Sequence, residues 1–159
     1  MTIQVGDKIP QAILNTLRDG VQPIATDELF GGRKVVLFSV PGAFTPTCSA
    51  KHLPGYVEKM DEFKAKGIDV ACMSVNDAFV MDAWAKQQSV PDGLTMLADG
   101  NGAFAEALGL KFDASAFGMG ERAKRFALYA EDGVVKVLQV EAPGEFRVSS
   151  AEAMLAAIG

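Results

Sequence analysis

Residues 35–56, VVLFSVPGAFTPTCSAKHLPGY, constrain the fold more than any other stretch. Residues 35–40 form an apolar, β-branched and aromatic run broken only by Ser39. That pattern suits a strand buried on both faces, which requires packed layers above and below it. Pro41 and Gly42 end the strand. Thr45 followed by Pro46 predicts a helix start, with threonine at the N-cap and proline at the first helical position, where its missing N–H costs nothing. Cys48 is then the third helical residue. Unpaired N–H groups and the helix dipole favour an anion there, so the sulfur is predicted to be a reactive thiolate.

The rest of the chain supplies the layers. The helix carrying Cys48 is expected to run to about Lys66, with Tyr56, Met60 and Phe63 on one face, a kink at Pro54 and Gly67 as its stop. Strands are expected at 68–75 and 94–97, with helices at 78–88, at 102–110 (closed by Gly109) and at 149–158. Residues 125–140 read as a hairpin turning at Asp132-Gly133. Residues 2–33, broken by Pro10, Asp19-Gly20 and Pro23, read as short strands or hairpins followed by a helical turn at 27–30. This order predicts an α/β fold: a mixed central sheet with helices on both faces and an N-terminal strand or hairpin extension. No repeat or linker divides the chain, so residues 1–159 are expected to form one domain.

Composition narrows the functional classes. Apolar residues make up 49% and charged residues 22%, ordinary for a globular protein. A net charge of -5 with no basic run argues against nucleic acid or an anionic membrane as partner. Residues 1–14 lack the basic start and apolar core of a signal peptide, and a cytoplasmic location is expected. In a reducing compartment, Cys48 and Cys72 are expected to be catalytic or buried rather than joined as a structural disulfide.

The spacing Pro41-x-x-x-Thr45-x-x-Cys48 resembles the active-site motif of the peroxiredoxins. His52-Leu-Pro-Gly55, residues 74–79 (SVNDAF) and Lys124-Arg125-Phe126 resemble the type II, peroxiredoxin-five-like members. The likeness runs through nearly the whole chain. It implies a thioredoxin-like fold and a thiol peroxidase that reduces hydrogen peroxide and organic hydroperoxides through sulfenic acid on Cys48, without a cofactor. It also implies Thr45 as a hydrogen-bond partner of the thiolate or peroxide, Arg125 as the active-site arginine, and Pro41 as a shield for the oxidised sulfur. His52 takes a supporting role. A homodimer is expected through residues 41–44, Phe79 and residues 117–120, whose Phe44, Phe79, Phe117 and Met119 are large apolar groups in expected loops or element ends.

Residues 146–159 lack the resolving cysteine of some relatives, which leaves Cys72 as the only intramolecular candidate. Cys72 is expected mid-strand, facing away or buried, so one-cysteine chemistry is favoured. Glutathione or a glutaredoxin is then the expected reductant, with thioredoxin the other candidate.

Other readings of the same residues are weaker. Arg122 competes locally with Arg125. A Cys48–His52 hydrolase dyad would draw its histidine from the same helix turn, unlike most thiol hydrolases. A zinc site at Cys48, His52 and Cys72 lacks a fourth ligand. A disulfide oxidoreductase would want a second cysteine where Lys51 stands. The reading from a different class is a thioredoxin-like redox sensor or binding module without turnover.

Overall fold

A computed structural model describes residues 2–17 and 19–159. Its strands are β1 (Ile13–Leu17), β2 (Val21–Ala25), β3 (Lys34–Ser39), β4 (Ile68–Ser74), β5 (Leu94–Ala98), β6 (Lys111–Asp113), β7 (Glu121–Ala123), β8 (Phe126–Glu131) and β9 (Val134–Val140). The helices are α1 (Thr26–Phe30), α2 (Leu53–Glu58), α3 (Met60–Ala65), α4 (Ala78–Gln87), α5 (Ala103–Leu108) and α6 (Ala151–Ile158). Seven strands form one sheet in the order β2-β1-β5-β4-β3-β8-β9.

β3 lies inside this sheet, parallel to β4 and antiparallel to β8. Its residues from Val35 to Ser39 are buried, which explains why the run shows no polar alternation. Val36 and Phe38 point into a layer with Tyr56, Phe63, Met81, Trp84 and Met154. Val35 and Leu37 point the other way, toward Leu29, Phe30, Phe104 and Leu108. α2, α3, α4 and α6 therefore cover one face, and α1 and α5 the other. This is the expected thioredoxin-like mixed sheet with helices on both faces, and β1–β2 is its N-terminal hairpin.

Two local features differ from expectation. The distortion expected at Pro54 takes the form of a π-helical turn just before it, Cys48–His52, in which the Leu53 N–H bonds to the Cys48 carbonyl. Proline cannot donate to the turn before it, and a wider turn lets neighbouring groups bond instead. The chain then turns again at Lys59, between α2 and α3. The second feature is the β6–β7 ladder, in a stretch where the sequence reading names only a loop at 117–120. Three-residue strands are too short to display alternation, and the excursion between them turns through Gly118 and Gly120 at φ +71° and +67°.

Candidate active site

The functional residues sit where β3 ends. The Val40 N–H donates to the Met73 carbonyl, prolonging the β3–β4 contact, and the Ser39 hydroxyl donates to the Lys124 carbonyl at 3.0 Å. The strand end is thus tied to the residue before Arg125. Beyond half-buried Pro41, the Ala43 N–H donates to Asn76 Oδ1 at 3.0 Å, and the Ser74 hydroxyl donates to the same oxygen at 2.6 Å. Asn76 lies in the family-like segment 74–79, but its loop-holding role carries no sequence signal of its own.

Gly42 is buried tightly. A Cβ there would lie 3.0 Å from Met119 Cε and 3.1 Å from Thr45 Cγ2, so the β6–β7 excursion closes against the loop. Arg122 helps hold it closed: Nε donates to the Met119 carbonyl and NH1 to the Val75 carbonyl. With its guanidinium on these carbonyls, Arg122 serves the loop, whereas Arg125 reaches the sulfur. Phe44 takes φ +66°, a left-handed conformation rarely used by a bulky residue, and is 49% exposed.

The helix begins at Pro46, as the Thr45-Pro46 signal predicts. The cap itself differs from expectation, because the Thr45 hydroxyl donates to the Gly42 carbonyl at 2.7 Å. Its hydrogen is taken up by the loop, which leaves the oxygen's lone pairs to accept from another donor.

Cys48 is fully buried. Arg125 NH2 donates to its Sγ at 3.2 Å, and Arg125 NH1 lies 2.9 Å from His52 Nδ1. The other ring nitrogen of His52, Nε2, lies 3.0 Å from the Ser149 carbonyl. A carbonyl only accepts, so Nε2 carries the hydrogen and Nδ1 presents a lone pair to Arg125. Burial, reinforced by the Arg125 charge, pushes the His52 pKa down to about 3. The imidazole is therefore neutral at physiological pH, and the positive charge beside the sulfur belongs to the guanidinium. Phe146 flanks this charge, its ring centroid 5.9 Å from the Arg125 guanidinium carbon.

Tyr56 stacks on Phe38 with ring centroids 3.9 Å apart, and its hydroxyl donates to the same Ser149 carbonyl at 2.8 Å. The indole N–H of Trp84 donates to Ser49 Oγ at 3.0 Å, anchoring the residue after Cys48. Ser149 and Phe146 escape sequence reasoning because they act through a backbone carbonyl and a ring face, about a hundred residues from Cys48.

Cys72 lies opposite Phe38 in the β3–β4 register and shares the apolar layer of Cys48 and Tyr56. It is therefore buried on the site's side of the sheet, which corrects the expectation that it could face away. Burial, with the nearby Cys48 sulfur adding to it against Arg125, pushes its thiol pKa well above the ordinary value. Both cysteines are free. Among the described residues, no group of three or more His, Cys, Asp or Glu is placed to hold a metal ion.

The arrangement offers a buried sulfur nucleophile and a fixed cationic donor on it, with the Thr45 hydroxyl, its hydrogen given to Gly42, three residues earlier in the chain. A fully buried sulfur favours a small electrophile over a bulky one. Comparison with known proteins gives the same direction. The Redoxin family model matches residues 4–155. Peroxiredoxin-2B of Arabidopsis thaliana is 46% identical, the match covering 98% of each chain. Peroxiredoxin-2E, chloroplastic, of the same plant is 50% identical over 99% of this chain and 70% of the relative. Among solved structures, reduced Prx3 from Vibrio vulnificus in complex with hydrogen peroxide superposes with TM-score 0.95 at 50% identity, covering 99% of this chain and 100% of that one.

Proposed function

The chain belongs to the Redoxin family as a peroxiredoxin, and from that premise we propose that Cys48 is the peroxidatic sulfur of a type II, peroxiredoxin-five-like thiol peroxidase. The observation that carries this reading is the forked contact of Arg125, one arm on the Cys48 sulfur and the other held by a neutral histidine. The Vibrio relative holds hydrogen peroxide, and peroxide is the substrate class we assign to this chain.

The Cys48 thiolate attacks one peroxide oxygen along the O–O axis. An S–O bond forms, the O–O bond breaks, and the electron pair leaves on the distal oxygen, which takes a proton to become water or an alcohol. Two electrons pass from sulfur to peroxide, leaving sulfenic acid. Arg125, already donating to Sγ, also donates toward the charge that moves between oxygens in the transition state. Preorganised donors of this kind are worth about 3–4 kcal/mol each in water-excluded sites. Thr45, its hydrogen committed to Gly42, accepts from the peroxide O–H and so orients the molecule. Pro41 lies on the loop held by Asn76 and shields the sulfenic acid.

Turnover needs a thiol to reduce that acid. Cys72 is buried in the core layer, and burial disfavours its nucleophilic anion. We therefore favour one-cysteine chemistry with glutathione or a glutaredoxin as reductant, against thioredoxin as the alternative. Exposure of Phe44, Phe79 and Phe117, at 49%, 62% and 81%, supports a homodimer covering the loops beside the site. A coupled peroxide-consumption assay with glutathione and glutaredoxin, run beside one with thioredoxin, tests the reading. Consumption through Cys48 with the first pair alone is expected, and equal rates in Cys48→Ser would reject it.

A further inference from the structure

We propose that Glu141 is a positioning residue for this reaction, holding the Arg125–His52 contact from both ends; the inference rests on the peroxidase reading above. Glu141 follows the last residue of β9 and is only 7% exposed. Its Oε2 accepts from the N–H groups of Arg147, Val148 and Ser149 at 2.8, 2.9 and 2.8 Å, and from the Ser149 hydroxyl at 2.6 Å. Its Oε1 accepts from the Arg147 N–H at 2.9 Å. The Arg147 side chain lies instead 3.9 Å from Glu145, and among the described residues no cationic side chain pairs with Glu141.

The carboxylate thus wraps residues 147–149 around itself. That turn aims the Ser149 carbonyl at His52 Nε2 and the Tyr56 hydroxyl. The carbonyl fixes the histidine tautomer, and the tautomer leaves Nδ1 free to accept from Arg125. The backbone N–H of Glu141 meanwhile donates to the Arg125 carbonyl at 3.0 Å. One residue therefore sets the main chain of the arginine directly and the acceptor of its side chain through Ser149 and His52. Loosening either arm lets the guanidinium turn away from Sγ. A small misplacement at a reacting centre costs up to about a hundredfold in rate.

The plain alternative is that Glu141 only stabilises the turn at 147–149. Both ideas are separated by comparing Glu141→Ala with Glu141→Gln, which keeps an acceptor oxygen, in the full-length protein. Single-turnover peroxide reaction of Glu141→Ala is expected to be about ten- to a hundredfold slower, with Glu141→Gln within a few-fold of the parent. In an Arg125→Ala background the Glu141→Ala loss should nearly vanish, since the residue through which it acts is gone.

A nitrogen-proton spectrum of the single histidine gives a readout independent of activity. The parent should show the neutral Nε2–H form, and Glu141→Ala a mixture. Equal fold-losses in both backgrounds, or an unchanged histidine spectrum, would overturn the proposal. If Glu141→Ala does not fold, Glu141→Asp, whose carboxylate falls one methylene short, carries the same comparison with the same expectations. A parent protein that shows the expected histidine form but fails to consume peroxide would reject the peroxidase reading, not this network.

Discussion

His52 Nδ1 and Arg125 NH1 lie 2.9 Å apart, and the bond between them exists only while the histidine is neutral. A protonated ring would turn a donor toward a donor and a cation toward a cation.

This relationship makes an acid-stability prediction. The His52 pKa is 6.5 in the unfolded chain and about 3 in the folded protein, lowered by burial and Arg125 and partly restored by the Ser149 carbonyl and Glu141. Between those values the unfolded state binds the extra proton. Folding stability should therefore be complete above pH 6.5 and fall by about 1.4 kcal/mol for each pH unit below it, until about pH 3. Glu141 adds to the loss only at lower pH. Burial alone would raise its pKa, but the hydrogen bonds from Ser149, Arg147 and Val148 lower it, so its contribution is present above 4.5 and is lost as pH falls through the folded value. Urea unfolding from pH 7 to pH 5 isolates His52, and His52→Gln should flatten the slope there. An equal slope in both proteins would contradict the assigned protonation state.

Arg125→Lys should slow the peroxide step about a hundredfold even where the sulfur is fully ionised, because an ammonium cannot span sulfur and imidazole as the planar fork does. Rapid-mixing kinetics across pH provide the check. A rate that recovers completely at high pH would reduce Arg125 to a charge partner.

Cys72→Ala should keep peroxide turnover with a small thiol reductant while losing about 1–2 kcal/mol of stability to the gap left in the layer. One turnover followed by a stall would make Cys72 the resolving residue.

Phe79→Asp places a charge on a side chain that is 62% exposed in the lone chain. Sedimentation at micromolar concentration should change from dimer to monomer. A parent that is already monomeric would refute the assembly.

The sequence was most informative where chemistry is local. The apolar run 35–40, the Thr45-Pro46 helix start and the Asp132-Gly133 turn each carry their conformational cause within a few residues, and β3, Pro46 and the β8–β9 hairpin fall where they indicate. The supports of the site were less legible. The Ser149 carbonyl, the Asn76 amide on the Ala43 N–H and the Glu141 carboxylate act across long sequence separations, through groups every residue shares or through ordinary surface residue types. The Thr45 hydroxyl illustrates the same limit: its position was clear, but which group it bonds depends on how the loop folds back to Gly42.

The central claim is that Cys48 reduces peroxide through a sulfenic acid. It is tested most directly by mixing the reduced protein with one equivalent of hydrogen peroxide and following the mass of the Cys48 peptide after trapping with a sulfenic-acid reagent. The account predicts that the trapped adduct appears on Cys48 as peroxide disappears, in Cys72→Ala as in the parent, and that neither event occurs in Cys48→Ser. Peroxide loss at the parent rate in Cys48→Ser, or an adduct confined to Cys72, would contradict it.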